Sequence, residues 1–180
     1  MSFHPLTDLT VLDQFKTSGP FPPGYPASHA TFYAPVDDLH GALLYLLKSA
    51  QKSLIVAMFG FDDEQLAAVL KEKLEQEHCF VQLTLDSSQA GGVHERKLLA
   101  DTNYPASSIA VGRSEHGAIM HMKEVIIDGA ILVTGSTNWS DGAETKQDNQ
   151  LTVIADAYVA AEARARIDAI HANMIAKAKQ

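Results

Sequence analysis

The chain has 180 residues, 46% of them hydrophobic and 20% charged, with a net charge of −8, a pI near 5.4 and a single cysteine, Cys79. That length supports one core without disulfides or metal, and a lone cysteine excludes an internal disulfide framework. No apolar run approaches the roughly 20 residues of a membrane span, and no basic start with an apolar stretch marks a signal peptide, so a cytoplasmic protein is expected.

The acidic balance argues against a dedicated, tight nucleic-acid binder, but a cleft can still differ in sign from the whole. Residues 1–30 read as an irregular segment in which Pro20, Pro22, Pro23 and Pro26 are interrupted by Gly19 and Gly24. Residues 31–180 are expected to form one α/β domain. A helix fits after Pro35, where Leu39, Leu43, Leu46, Leu47 and Ala50 recur at helical spacing. Residues 53–59 read as a buried strand, and Asp62 and Asp63 open a helix bearing Leu66, Val69, Leu70 and Leu74. A strand over 80–85, a short helix over 94–100 and a brief strand over 109–111 follow. Gly91-Gly92 is either a mobile lip or a plain turn.

Residues 121–139 carry the most information. Two apolar strands flank Asp128-Gly129, a dipeptide suited to a two-residue hairpin turn. With that turn Ile127 faces Ala130, Lys123 faces Thr134 and His121 faces Ser136. Cross-strand partners share a face, so His121, Lys123, Thr134, Ser136 and Asn138 are expected to converge at one end. Further along, that face turns apolar at Val125, Ile127, Ala130 and Leu132; the other carries Met122, Ile126, Ile131 and Val133, with Glu124 the dissenter. Strands apolar on both faces belong in the middle of a sheet, which sets this pair apart from an ordinary surface hairpin. A one-residue slip would flip one strand's faces and undo the convergence.

Residues 149–155 give a further strand. From Asp156, Val159, Ala163, Ile167, Ile170 and Met174 mark an amphipathic helix. Strands alternating with helices, then a hairpin, indicate a mixed central β-sheet flanked by helices.

An imidazole, an ammonium, hydroxyls and an amide in one place suit a phosphate. Metal-free phosphodiester hydrolysis needs a nucleophile, an acid for the leaving group and cations for the phosphoryl oxygens. His121 suits nucleophile or acid, Lys123 the clamp, and Ser136 and Asn138 the phosphate-binding donors. A carboxylate should hold the imidazole's other nitrogen. Asp128 lies too far along the strand and reads as the turn former with Gly129, while Gly135 completes the motif; Asp148 is the better candidate. No Cys/His/Asp cluster has metal spacing, and His4, His29, His40, His78 and His171 have no company that suggests chemistry. His116 reads as a polar loop residue, and Trp139 as packed behind the site. No cofactor is expected.

His121-x-Lys123-x-x-x-x-Asp128 followed by Gly135-Ser136-x-Asn138 resembles the His-Lys-Asp signature of the phospholipase D superfamily. The similarity extends more loosely over residues 31–175, including Leu85-Asp86-Ser87-Ser88-Gln89. The chain is similar to the short bacterial Nuc-type endonucleases, which carry one copy of the signature and commonly have a glutamate where Asp148 stands. The resemblance implies a phospholipase D-like α-β-α sandwich and a metal-independent phosphodiesterase working through a phosphohistidine. One copy is half of a two-histidine mechanism, so a twofold homodimer sharing the active site is expected. The resemblance implies a sequence-tolerant endonuclease on DNA and/or RNA; the alternative is a phospholipase D or cardiolipin hydrolase acting on membrane phospholipid. A lipase should show an exposed apolar lip, for which Phe21, Tyr25, Phe32 and Tyr33 are candidates. A third reading, a non-catalytic binding module, is disfavoured by the intact His121, Lys123, Ser136 and Asn138.

Overall fold

A computed structural model describes residue 6 and residues 8–75, 79–89, 93–100, 105 and 107–179, without the side chains of residues 93–95 and 98. His4, His78 and Gly91-Gly92 lie outside the described residues, as does the His94 side chain. Along the chain come a 3₁₀ helix (Leu9–Phe15), β1 (His29–Ala34), α1 (Leu39–Ser49), β2 (Ser53–Met58), β3 (Phe61–Asp62), α2 (Glu64–Glu75), β4 (Phe80–Asp86) and α3 (Val93–Ala100). There follow β5 (Ile109–Gly112), β6 (Lys123–Ile127), β7 (Ile131–Gly135), β8 (Trp139–Ser140), α4 (Asp141–Thr145), β9 (Asn149–Ala155) and α5 (Ala157–Ala178).

Seven strands make one mixed sheet in the order β1-β9-β7-β6-β2-β4-β5, while β3 and β8 form a separate parallel pair. The chain joins β2 to β4 through α2 and β4 to β5 through α3, and these pairs are parallel, as crossover connections require. From β2 outward to β1 every pairing is antiparallel. All six residues of β2 are buried, because the central strand has a core on each face. On one face Leu54, Val56, Val125, Ile127, Ile131 and Val133 join the core that includes Leu43 and Leu46 of α1 and Leu66 and Leu70 of α2. On the other, Ile55, Ala57, Ile126 and Leu132 pack with Ala160, Ile167, Ile170 and Met174 of α5. The expected α-β-α sandwich is what forms.

The hairpin register differs from the expected one. The pairs are Glu124↔Thr134, Val125↔Val133, Ile126↔Leu132 and Ile127↔Ile131, one residue away from a two-residue turn. Asp128 and Gly129 do take positive φ (53° and 69°), and the Ala130 N–H donates to the Ile127 carbonyl at 3.0 Å, but exposed Ala130 is an added loop residue. Two causes favour this register. It puts Val125 and Ile127 on one face with Ile131 and Val133, so each core receives apolar residues from both strands. The Asp128 carboxylate also accepts from the backbone N–H groups of Gln51 (3.0 Å), Lys52 (2.7 Å) and Ser53 (3.0 Å), tying the turn to the start of β2. Thr134 consequently faces Glu124, to which its hydroxyl donates at 3.2 Å, and does not share a face with Lys123.

The described residues among the first thirty are also more ordered than their composition indicates. Asp8 caps the 3₁₀ helix by accepting from the Thr10 N–H at 2.9 Å, and Leu9 and Leu12 are buried. β1 already begins at His29, with Ala30, Phe32 and Ala34 facing inward. A 3₁₀ helix has no 3.6-residue period to read, and this strand lies at the edge of the sheet, paired among the described residues only with β9.

Candidate active site

The residues around His121 are assembled by the end of β2. Lys123 pairs with Met58, and the Phe59 N–H continues the ladder to the Met122 carbonyl at 2.9 Å. Phe59 thus serves as a floor. The His121 ring lies 4.5 Å from its ring centroid, and Lys123 Nζ sits 4.9 Å from the same centroid. Gly60 then meets the second half of the motif, its carbonyl accepting from the Trp139 N–H at 2.9 Å. A Cβ on Gly60 would stand 3.0 Å from Asn138 Cγ, so a side chain there would press on the amide. Nothing in the sequence marks Phe59-Gly60, which reads there as the end of an apolar strand.

Asp86, fully buried at the end of β4, fixes the approach to His121. One carboxylate oxygen accepts from the Met120 N–H at 2.6 Å, and the other from the Ser88 N–H and hydroxyl at 2.8 and 2.5 Å. His121 itself is exposed. Lys123 is 8% exposed, and its Nζ donates to the His121 carbonyl at 2.9 Å. Among the described residues no carboxylate pairs with it, and burial pushes its ammonium below the usual lysine range.

The strand after the turn is held from the β9 side. A Cβ on Gly135 would fall 2.1 Å from the Gln150 carbonyl oxygen, a close approach that only glycine permits. The Ser136 hydroxyl donates to Asn149 Oδ1 at 2.9 Å and accepts from the Gln150 N–H at 3.0 Å, and buried Thr137 donates to the Gln150 carbonyl. Asn138 Oδ1 is buried without a hydrogen-bond partner among the described residues. The structure therefore brings His121, Lys123 and Asn138 around Phe59-Gly60, and fastens Ser136 to β9. Asp148, exposed, immediately precedes β9 and makes no hydrogen bond to His121.

Other expectations change. Phe21 stacks on Tyr25 at 4.5 Å and meets Phe32 edge-on at 5.9 Å, and Phe32 is wholly buried. These aromatics form a packed cluster instead of an exposed lip; Tyr33 alone is exposed. Trp139 is buried, edge-on to Phe61 at 5.6 Å. His171 is buried between the Thr84 hydroxyl (2.9 Å) and the Ser107 carbonyl (2.8 Å), a structural role. His40, alone in the sequence, has company after all: Asp63 and Glu144 meet it from two other elements. Separations of 23 and 104 residues leave no local spacing from which to read such a cluster.

Among the described residues no helix is long and apolar enough to cross a membrane. Residues 43–171 match the family described as "Cardiolipin synthase, PLD-like domain". A mitochondrial cardiolipin hydrolase from Chlamydomonas reinhardtii is 30% identical over 122 residues, covering 68% of this chain and 52% of that protein. Its namesake from Xenopus tropicalis is 30% identical over 140 residues, covering 71% and 59%. The chain thus spans little more than half the length of these relatives. Among solved structures, Nuc from Salmonella typhimurium, a phospholipase D family member, superimposes with a TM-score of 0.66 at 22% identity, over 79% of this chain and 93% of that one. NucT from Helicobacter pylori gives 0.65 at 19% identity, over 79% and 94%. Fold, motif and the match over residues 43–171 agree: this chain belongs to the phospholipase D-like family.

Proposed function

We propose that the chain is a phosphodiesterase whose reaction centres on His121 and whose substrate is nucleic acid. The observation that carries this reading is the buried Lys123, without a carboxylate partner among the described residues, beside the exposed His121. A desolvated ammonium without a counter-ion is costly, and a phosphodiester anion compensates it at the place where an imidazole can attack. The half-buried Asn138 amide adds donors for the same oxygens, and the Ser136 hydroxyl joins them once it turns from Asn149 Oδ1.

In the proposed reaction the neutral His121 imidazole attacks phosphorus. A P–N bond forms as the P–O bond to the leaving group breaks, and the departing oxygen takes a proton from a second imidazole. Water then attacks phosphorus, gives its proton to that second imidazole and releases His121. Among the described residues no other imidazole forms a hydrogen bond or ring contact with His121, so we assign the second role to the partner's His121 in a twofold homodimer. We assign Asp148 to the carboxylate that fixes the imidazole tautomer; its neighbour Asn149 already contacts Ser136.

Phospholipid hydrolysis is the second reading, favoured by the relatives named cardiolipin hydrolase. The packed aromatic cluster counts against it, because it removes the candidate lip. The deciding experiment incubates wild type and His121→Ala with single- and double-stranded DNA, RNA, and phosphatidylcholine or cardiolipin vesicles, all in chelator. Nucleic-acid cleavage lost in the variant is the expected result. Cleavage of lipid alone reverses the substrate assignment, and activity unaffected by the substitution overturns the mechanism. A monomer that is fully active at assay concentration, measured by light scattering, overturns the shared site.

A further inference from the structure

Three elements outside the His121 region point polar side chains at one spot. His40 stands in the first turn of α1, Asp63 directly precedes α2, and Glu144 lies on α4. His40 Nδ1 is 2.5 Å from Glu144 Oε2 and 3.6 Å from Asp63 Oδ2, and one ligand atom from each residue lies within 4.8 Å of the others. The second Asp63 oxygen caps α2 by accepting from the Leu66 N–H at 2.7 Å, which fixes the orientation of the first. The Glu144 side chain is 0% exposed, and among the described residues its Oε1 has no hydrogen-bond partner; His40 Nε2 is likewise buried and unpartnered among them. Orphaned atoms of this kind are rare in folded proteins and call for a reason.

Charge supplies the reason. Two carboxylates share one imidazole, so even with His40 protonated the cluster is a positive charge short. Among the described residues no lysine or arginine pairs with either carboxylate, so His40 is their only cationic neighbour. An imidazole with two carboxylates is a donor set for a first-row divalent cation, zinc above all.

We propose that His40, Asp63 and Glu144 form a divalent-cation site, with zinc as the fitting ion, that clamps α1, the start of α2 and α4 together. The ion enters along the partly exposed edge of His40, whose side chain keeps 22% of its surface, and water completes the coordination. Zinc ligands at roughly 2.0–2.1 Å from the metal stand farther apart than 2.5 Å, so the His40–Glu144 hydrogen bond opens and its proton leaves to solvent as the cation enters. The site is separate from the proposed hydrolytic chemistry. Through α4, which follows Trp139-Ser140 directly, it braces the segment that carries Asn138.

Metal-stripped protein titrated with Zn²⁺ by calorimetry at pH 7.5 tests this, with Co²⁺ absorption as a second probe. The expected results are one ion per chain, proton release seen as buffer-dependent heat, tetrahedral Co²⁺ bands and a higher melting temperature. Glu144→Gln, which keeps the side-chain shape, and His40→Ala should each weaken binding by more than the roughly 10–100-fold that loss of an outer-shell partner costs. His121→Ala should bind as wild type, which separates this inference from the proposed function. Absence of binding at millimolar Zn²⁺ overturns the site, as does undiminished affinity in a folded Glu144→Gln protein.

Discussion

His121 and His40 sit in opposite electrostatic settings within one small domain. His121 is exposed, and the charge beside it is a buried ammonium lacking a carboxylate among the described residues; His40 lies between two buried carboxylates. The first region is short of negative charge and the second short of positive charge. An incomplete charge set in a buried place names the sign of what would complete it, an anion at Lys123 and a cation at Glu144. The regions also differ in origin. His121 and Lys123 share a strand entry, two residues apart, whereas His40, Asp63 and Glu144 come from three helical elements.

The largest test of this contrast removes the exposed histidine. His121→Ala should lower turnover by roughly 10⁴-fold or more, the scale seen when a nucleophile is deleted, with an unchanged circular dichroism spectrum. Lys123→Met comes next and separates function from stability. Turnover should fall roughly 10²–10³-fold, as for loss of a donor to a developing oxyanion, while the melting temperature rises because an uncompensated buried charge has gone. A drop in both would show that Lys123 is paired in the folded state and that the anion argument fails.

A third change attacks the hairpin. Asp128→Ala strands three backbone N–H groups at the start of β2 and should cost about 2 kcal/mol in urea unfolding, with turnover of the folded fraction within about twofold of wild type. Loss of turnover out of proportion to the loss of folded protein would give Asp128 a place in the chemistry.

Asp128 also shows how far the sequence could be read. The Asp-Gly turn, the two apolar strands and the His121–Lys123 neighbourhood were legible because they rest on neighbours in the chain. Register was not: whether Ala130 belongs to turn or strand is decided by Gln51, Lys52 and Ser53, more than 70 residues away. That single residue moved Thr134 from beside Lys123 to Glu124 on the α5 face. Phe59 and Gly60 were hidden for a similar reason, since an apolar residue and a glycine at a strand end announce nothing until β6 and Asn138 are folded against them. Asp86 stands in the Leu85–Gln89 run, but no local pattern announces its hold on Met120, 34 residues on. The seven-residue 3₁₀ helix and edge strand β1 lacked a strong period.

The smallest effect concerns the His40 cluster without metal, and its sign follows from the two pKa directions. Burial alone would lower the His40 imidazole, but the hydrogen bond it donates to Glu144 and the charges of Glu144, Asp63 and Asp38 outweigh it and raise the value. Glu144 is raised from 4.5 to about 7, chiefly by burial. A folded pKa raised above the unfolded one means that the folded chain holds its proton longer. The stabilisation is therefore full at low pH and is lost as pH rises through the folded value. Both groups act in the same direction, and as a hydrogen-bonded pair they titrate together. In chelator, stability from this cluster should fall as pH rises from 5 to 8, and Glu144→Gln should flatten that slope by removing its main proton site. Adding Zn²⁺ at pH 8 should restore wild type and leave Glu144→Gln unmoved, since the cation takes the place the proton has vacated. An unchanged slope in Glu144→Gln would place the titrating group elsewhere and dissolve the contrast between the two histidines.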